Sequence, residues 1–316
     1  MPSICDVKGI TVGTVTDHQA LTGCTVLLFG REGAVCGVDV KGSAPGTRET
    51  DLLAPINMVE KIHGILLAGG SAFGLDAASG VMQFLEEQGI GHYVGPTVVP
   101  IVPAAVIFDL MLGDYRVRPD HAMGYAACQA AGTEVQEGNY GAGAGASVGK
   151  ISGHNYATKS GQGTWSIRFN NGLVVGALAV VNAFGDVYDL DSSRILAGVR
   201  DDEGNLIGTA EVWRRKKGRV KYQVGTNTTI AVVACNARFS KARMTKIAQV
   251  AQNGLGRVIR PTHTMSDGDT VFAVATGEIE ADINLVAYLA QEALARAIVR
   301  GVQQAVAVKE CRSWQD

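Results

Sequence analysis

Two segments in the last third of the sequence place reactive side chains directly before apolar runs. The segment Asn227–Thr229 opens the run Ile230–Ala234, and Ser266–Thr270 precedes the run Val271–Ala275. If the two runs are neighbouring parallel strands, both segments lie at the same edge of one sheet. We therefore expect the carboxylates of the second segment to approach Thr228.

Thr228 is a candidate nucleophile on chemical grounds. A threonine hydroxyl is a weak nucleophile unless a base lies within hydrogen-bond reach. Cleavage between Asn227 and Thr228 would give Thr228 a free α-amino group with a reference pKa of about 7.7–8.0, so that one residue supplies nucleophile and base. Asp267 and Asp269 can orient the protons of these groups, and a lysine can lower the pKa of the amine. The same residues also fit an ordinary strand start and an Asp-Gly-Asp turn.

Two familiar site patterns are incomplete. The run Gly141–Lys150 resembles a phosphate-binding loop, but Ala144 and Ile151 stand where that motif needs glycine and a hydroxyl residue. The run Gly69–Phe73 resembles a nucleophile elbow with phenylalanine in place of the closing glycine, which favours Ser71 as a helix cap.

No motif predicts a cofactor or a metal site. The histidines lack metal-ligand spacing, and they are His18, His63, His92, His121, His154 and His263. Only His263, close to the acidic segment, is a candidate to contact the site.

The positions of the apolar residues predict the elements that hold these side chains. Short buried strands are expected at Thr25–Phe29, Val35–Val40, Ile65–Ala68, Leu173–Val181, Thr229–Ala234 and Val271–Ala275. Helical spacing is found in Ser71–Gln88, in Lys241–Gln252 after the capping residue Ser240, and from Asp282 to about Val302. A layered α/β protein follows. The polar stretch Asp191–Asn227, with the basic run Arg214–Arg219, is expected to be an exposed loop ending at the cleavage site.

Composition excludes several classes of function. With 316 residues, 47% of them hydrophobic, and a net charge of −2, the chain can bury a large core but carries no general field for nucleic acid or an anionic membrane. The cysteines are widely spaced, as in a reducing compartment. The most hydrophobic region, Val94–Phe108, is interrupted by prolines and so does not fit a transmembrane helix. The N-terminus lacks a signal-peptide pattern. We expect a cytoplasmic protein that binds neither nucleic acid nor membrane.

Several motifs, taken in order along the chain, resemble the L-aminopeptidase/D-esterase family, which includes β-aminopeptidases and nylon-oligomer hydrolases. The similarity spans nearly the whole sequence and rests on Pro45–Leu52, Leu67–Asp76, the glycine-rich run ending at Lys150, Val181–Ala183, Asn227–Thr229, Arg260–Thr264 and Asp267–Thr270.

The resemblance implies a chain that cleaves itself and stays together as an α/β/β/α sandwich of four layers, a single hydrolase unit over residues 1–316. The implied fragments are Met1–Asn227 and Thr228–Asp316, assembled as a homo-oligomer of processed heterodimers. The family motifs place the nucleophile on Thr228 and the supporting groups on Lys150, Asn182, Asp267 and Asp269. Lys150 and Asn182 would donate hydrogen bonds at the reacting centre, Asn182 to the oxyanion, and the aspartates would hold the hydroxyl and amine of Thr228.

The predicted activity is hydrolysis of small peptides or amides through an acyl-enzyme on Thr228, without a cofactor. Nylon-oligomer hydrolases carry a tyrosine near the position that Phe108 occupies in this sequence. The phenylalanine ring donates no hydrogen bond, so the substrate preference of those enzymes is not assigned to this chain. Two alternatives stay open. One is an acyltransferase similar to ornithine acetyltransferase, in which an amine rather than water takes the acyl group. The other is a non-catalytic, ligand-binding relative.

Overall fold

The computed structural model describes residues 1–218 and 225–316. In chain order its strands are β1 Thr11–Asp17, β2 Thr22–Leu28, β3 Ala34–Val40, β4 Thr47–Arg48, β5 Lys61–Ile62, β6 Gly64–Ala68, β7 His92–Tyr93, β8 Val98–Val99, β9 Ala104–Val106, β10 Ser147–Val148, β11 Thr158–Lys159, β12 Gln162–Arg168, β13 Val174–Asn182, β14 Asp186–Tyr188, β15 Ile195–Ala197, β16 Thr228–Ala237, β17 Ile259–Arg260 and β18 Thr270–Ile279. The α-helices are α1 Ala77–Glu87, α2 His121–Gln129, α3 Thr209–Arg215, α4 Lys241–Val258 and α5 Ile283–Gln303.

Two large sheets form the centre of this structure. The first has the strand order β1-β2-β6-β9-β4, and the second has the order β12-β13-β16-β18-β3-β5. In the second sheet β16 and β18 are parallel, with Ile230 opposite Thr270. Strand β13 runs antiparallel to β16 and places Asn182 opposite Thr228. The two apolar runs are thus neighbouring parallel strands, which is the condition under which the sequence places both polar segments at one sheet edge.

Strands β13 and β16 of the second sheet, and the first part of β18, are buried on both faces, which explains why they lack polar alternation. On one face, Leu178, Val180 and Val232 contribute to a core shared with the first sheet. On the other face, smaller side chains such as Ala177 and Ala179 pack against α5, and strands β3 and β18 pack against α4. The first sheet packs its own outer face against α1 and α2. The described residues are therefore arranged as helices and mixed sheets in contact, in agreement with the predicted α/β class.

Side-chain caps fix where the two long helices begin. The carboxylate of Asp282 accepts a hydrogen bond from the Leu285 amide at 2.9 Å, and the Ser240 hydroxyl accepts one from the Arg243 amide at 3.5 Å. Both helix starts predicted from the sequence are confirmed. The prediction that Ser71 caps a helix is wrong. Gly70 occupies the cap with a φ of 78°, and a short 3₁₀ segment begins at Ser71, whose amide donates to the Ile107 carbonyl at 2.9 Å.

The stretch predicted as a loop before the cleavage site contains regular structure. Strand β15 and helix α3 lie within it. Helix α3 carries Glu211 beside Arg214 and Arg215, at three and four residues' separation, a spacing that stabilises exposed helices. The prediction of a continuous loop is therefore wrong for these elements, and the end of the basic run at Arg219 lies outside the described residues.

None of the helices within residues 1–218 and 225–316 combines the length and apolar character needed to cross a membrane. The six cysteines are free thiols in the structure, and all but Cys5 are buried.

The contact between α5 and the second sheet depends on glycine at position 163. A Cβ atom there would lie 2.3 Å from both the Ala297 carbonyl oxygen and the Gly301 nitrogen of α5. We expect Gly163→Ala to lower the free energy of unfolding by about 1–3 kcal/mol, because the helix must move away from the sheet.

The matched control is Gly132→Ala. A Cβ atom at Gly132 meets no atom within 4 Å, so this change should alter stability by less than about 0.5 kcal/mol. Urea unfolding of both variants measures the difference. Equal stability of the two variants would contradict the close packing of α5 on β12.

Candidate active site

The bond between Asn227 and Thr228 lies at the start of β16, where three strands of the second sheet come together. Asn182, the last residue of β13, is the cross-strand neighbour of Thr228. Asn227 pairs with Asp267 in the turn that leads into β18. The predicted nucleophile and two of its predicted supporting residues are thus brought to one edge of the sheet.

Lys150 reaches this edge from the end of the glycine-rich run. Its Nζ donates to the Asn182 carbonyl at 2.9 Å, to Asn182 Oδ1 at 2.6 Å and to the Thr226 carbonyl at 3.4 Å. The preceding residue, Gly149, lies against the backbone of Val199. Its φ of 76° favours glycine, and a Cβ atom there would lie 2.1 Å from the Val199 nitrogen. Lys150 therefore links Asn182 to the segment that precedes Thr228.

Burial determines the protonation of Lys150. The side chain is removed from solvent, and this desolvation lowers the pKa of the amine to about 7, although the carboxylates of Asp267 and Asp109 act in the opposite direction. An amine with this pKa is present in both charged and neutral forms near neutral pH. It can therefore either donate or accept a proton at the site.

Asp269 accepts hydrogen bonds with both carboxylate oxygens. Oδ1 accepts from the Thr229 amide at 2.7 Å, and Oδ2 accepts from the Thr262 hydroxyl at 3.0 Å and from the His263 amide at 3.0 Å. The His263 ring places Nδ1 2.8 Å from the same oxygen. The histidine singled out from the sequence thus contacts a predicted site residue, and its φ of 57° is a left-handed conformation that is rare outside glycine.

Asp267 is held in a similar way, by backbone amides and a threonine hydroxyl. Its Oδ1 accepts from the Phe184 amide at 3.1 Å, and its Oδ2 accepts from the amide and the hydroxyl of Thr264 at 3.0 Å and 2.6 Å. Burial, and secondly the negative charge of Asp269, raise the pKa of Asp267 to about 6. The carboxyl group is therefore mostly ionised at neutral pH and gains its proton in mild acid.

The Thr228 hydroxyl donates to the carbonyl oxygen of Asn227, the oxygen of the predicted scissile bond. The same oxygen accepts the Gly268 amide at 2.9 Å. The hydrogen bonds described for Asp267 and Asp269 go to other groups near Thr228, chiefly backbone amides. Direct contact of the aspartates with the Thr228 hydroxyl and a free amine remains a prediction for the cleaved form.

Asn182 has most of its hydrogen-bonding capacity engaged. Oδ1 accepts from Lys150 and from the Ser147 amide at 3.1 Å, and Nδ2 donates to the Phe108 carbonyl at 3.0 Å. Phe108 therefore meets the site through its backbone oxygen. The predicted role of Asn182 as an oxyanion donor remains a prediction, because the described bond of Nδ2 is directed to Phe108.

Several side-chain oxygens around the Asn227–Thr228 bond are buried without a hydrogen-bond partner among the described residues. They are Asn227 Oδ1, Thr229 Oγ1 and Ser266 Oγ. Leaving such groups unpaired costs about 1–3 kcal/mol each, so this segment is not packed for maximal stability.

Two buried charged residues near the site were not anticipated. Asp109 accepts from the Gly70 amide and the Thr22 hydroxyl, each at 2.7 Å, and burial raises the pKa of its carboxyl group. Lys159 donates to the carbonyl of Ala146 at 3.0 Å, and burial lowers the pKa of its amine to about 7. The only sequence signal was an isolated charge in an apolar or glycine-rich context, which is too common to single out a residue.

Within the described part of the chain, no group of three or more histidine, cysteine, aspartate or glutamate side chains is placed to hold a metal ion. The chemistry that this arrangement can perform is nucleophilic attack by Thr228, with proton transfer through Lys150 or Asp267.

Comparison with known proteins places the chain among hydrolases. It is 42% identical to a protein named as an uncharacterized aminopeptidase of Mycobacterium tuberculosis, over all of this chain and 98% of that protein. It is 31% identical to the 6-aminohexanoate-oligomer endohydrolase of Paenarthrobacter ureafaciens, over 87% of this chain and 75% of that enzyme.

A solved structure shares the fold. The L-aminopeptidase D-Ala-esterase/amidase of Ochrobactrum anthropi, described as a variant of the Ntn hydrolase fold, superposes with a TM-score of 0.72. The alignment covers 96% of this chain and 86% of that one at 19% identity. The model of peptidase family S58 matches residues 2–313. The resemblance found from the sequence motifs is thereby confirmed, and the chain belongs to peptidase family S58.

Proposed function

We propose that this chain is a self-processing amide hydrolase whose nucleophile is Thr228, made N-terminal by cleavage after Asn227. The observation that carries the proposal is the hydrogen bond from the Thr228 hydroxyl to the carbonyl oxygen of its own preceding peptide. A nucleophile in contact with the carbonyl group that it is to attack satisfies the first requirement of the reaction. The products would be the fragments Met1–Asn227 and Thr228–Asp316.

Family membership supports the rest of this proposal. We infer a single hydrolase unit over residues 1–316, folded as a four-layer α/β/β/α sandwich, and the three apolar cores described above are consistent with it. Both fragments contribute strands to the second sheet, so cleavage would leave them held together. We propose that the processed pairs assemble as a homo-oligomer in the cytoplasm.

The proposed hydrolysis follows from the chemistry of an N-terminal threonine. The α-amine of Thr228 removes the hydroxyl proton as Oγ1 attacks the substrate carbonyl, and the leaving amine takes that proton when the C–N bond breaks. Water then releases the acid from the ester on Thr228. No cofactor takes part.

The supporting residues receive roles from their contacts. Lys150, when charged, lowers the pKa of the Thr228 amine and keeps more of it in the basic form, and Asp267 and Asp269 fix the turn beside it. Lys150 also holds Asn182 in place through Oδ1. We propose that the free hydrogen of Asn182 Nδ2 contributes to binding the substrate carbonyl.

The proposed substrates are small peptides or amides, the class to which the names of the relatives point. A preference for aminohexanoate oligomers is not carried over, because Phe108 offers a carbonyl oxygen to the site and its ring has no hydroxyl.

Self-cleavage is tested by replacing single threonines. Unmodified protein, denatured, should give two bands, and Thr228→Ala should give one, because the nucleophile is missing. Thr229→Ala is the matched control, since Thr229 is the adjacent buried threonine and its hydroxyl has no described partner. It should cleave normally. A single intact band from the unmodified protein would refute the proposal.

Hydrolysis is distinguished from acyl transfer by the fate of the acyl group. With a small amide substrate and no added amine acceptor, the processed enzyme should release free acid, since water completes the reaction. Mass spectrometry of the product measures this. Acid formation only when an amine acceptor is present would instead support the acyltransferase alternative.

The pH dependence of self-cleavage follows from the two shifted groups. Below about pH 6, Lys150 and Asp267 both carry protons and neither accepts the Thr228 hydroxyl proton, whereas above about pH 7 both are free to do so. The cleavage rate of freshly synthesised precursor should therefore rise through this interval and then level off.

Lys150→Arg tests which group is the base. We propose Lys150, rather than Asp267, as the base. Arginine keeps the charge and the donors but stays protonated, so cleavage should slow by about 10²–10⁴-fold at every pH. Cleavage of this variant at the unmodified rate would show that Lys150 does not accept the proton.

A further inference from the structure

The carbonyl of Asn227 is polarised by a backbone donor that belongs to the Asp-Gly-Asp turn. The Gly268 amide donates to the Asn227 oxygen at 2.9 Å, and the Asn227 amide donates in return to the Ser266 carbonyl at 3.3 Å. This pair of hydrogen bonds fixes the scissile peptide against the turn.

The reaction needs a donor at this oxygen, an argument that depends on the self-cleavage proposed above. When Thr228 Oγ1 bonds to the carbonyl carbon of Asn227, the carbonyl oxygen becomes an oxyanion. The C–N bond then breaks, the hydroxyl proton ends on the Thr228 nitrogen, and an ester replaces the amide. Water later divides that ester into the Asn227 carboxylate and the Thr228 hydroxyl. A preorganised donor at the oxyanion lowers the barrier of the first step.

Other candidate donors at the site are directed elsewhere. Among the described hydrogen bonds, Asn182 Nδ2 donates to the Phe108 carbonyl, and Lys150 Nζ donates to the carbonyls of Asn182 and Thr226. The Gly268 amide is the backbone donor that the described structure directs at the Asn227 oxygen.

The residues around Gly268 hold its amide in place. Asp267 is tied on one side to Phe184 and Thr264, and Asp269 on the other side to Thr229. The Asp267 carbonyl, which belongs to the same peptide unit as the Gly268 amide, accepts the Ala44 amide at 2.9 Å.

Position 268 also has no room for a side chain. A Cβ atom there would lie 2.5 Å from the Ala44 oxygen and 2.8 Å from Thr228 Oγ1. A larger residue would displace the nucleophile or the turn.

We propose that the Gly268 N–H is a catalytic oxyanion donor for self-cleavage, and that Asp267 and Asp269 are positioning residues for it. The Asp267–Asp269 turn therefore contributes a backbone N–H to self-cleavage as well as two carboxylates.

The test removes this N–H without adding a side chain. Cell-free synthesis with Gly268→glycolic acid replaces the amide by an ester. The self-cleavage rate, measured on the protease-resistant, folded fraction, should fall by about 10²–10³-fold, the range seen when one oxyanion donor is lost.

The matched control is Ala44→lactic acid. An ester at position 268 has a side effect, because it makes the Asp267 carbonyl a weaker hydrogen-bond acceptor. The control removes the Ala44 amide that donates to this carbonyl. The bond lost in the control is 2.9 Å long, like the bond between the Gly268 amide and the Asn227 oxygen. It should slow cleavage by no more than about tenfold, the effect expected when one positioning hydrogen bond is lost while the Gly268 N–H stays in place.

Two results would overturn the proposal while leaving self-cleavage intact. One is cleavage of the Gly268 ester at the unmodified rate, and the other is equal slowing of both esters, which would assign the effect to the turn's rigidity. Failure of the unmodified chain to cleave would instead refute self-processing and, with it, this role for Gly268.

Discussion

The parallel pairing of β16 with β18 is the constraint on which the site depends. Because the two strands start side by side, the turn before β18 lies against the peptide before β16. The Gly268 amide donates to the Asn227 carbonyl, and the Asn227 amide donates to the Ser266 carbonyl. The peptide proposed to be cut is thereby held away from solvent, where electrostatic effects on a carbonyl group are larger than in water. The proposed nucleophile, the Thr228 hydroxyl, already contacts this carbonyl group.

The second consequence of this packing is the buried charge at the site. Two lysines with lowered pKa values and an aspartate with a raised one lie near one strand edge, and burial is the first cause of all three shifts. Burying such groups costs free energy unless hydrogen bonds compensate, and here backbone carbonyls and amides supply most of those bonds. The glycine-rich run allows this, because its backbone can approach where a side chain would collide.

Much of the architecture could be predicted from the sequence. Apolar runs bounded by glycine and polar residues marked β3, β13, β16 and β18 of the second sheet, and Ser240 and Asp282 marked the helix starts, because these signals are local. Strands β12 and β5 were missed, because β12 alternates polar with apolar residues and β5 has two residues. The contacts of His263 and the presence of helix α3 were harder to predict. His263 meets Asp269 only in the folded chain, and α3 packs Val212 against residues distant in sequence. Ser71 was misassigned because glycine at the preceding position took the cap. The position of the Gly268 N–H could not be predicted from the sequence, because nearly every residue carries a backbone N–H. Only the fold determines that this one donates to the Asn227 oxygen.

The most direct test of this account is the N-terminal sequence of any small fragment in the purified, denatured protein. A free threonine followed by Thr229 and Ile230, in a fragment that ends at Asp316, would place the cut after Asn227 as the account requires. A fragment beginning at another residue, or an intact chain with no second N-terminus, would contradict it.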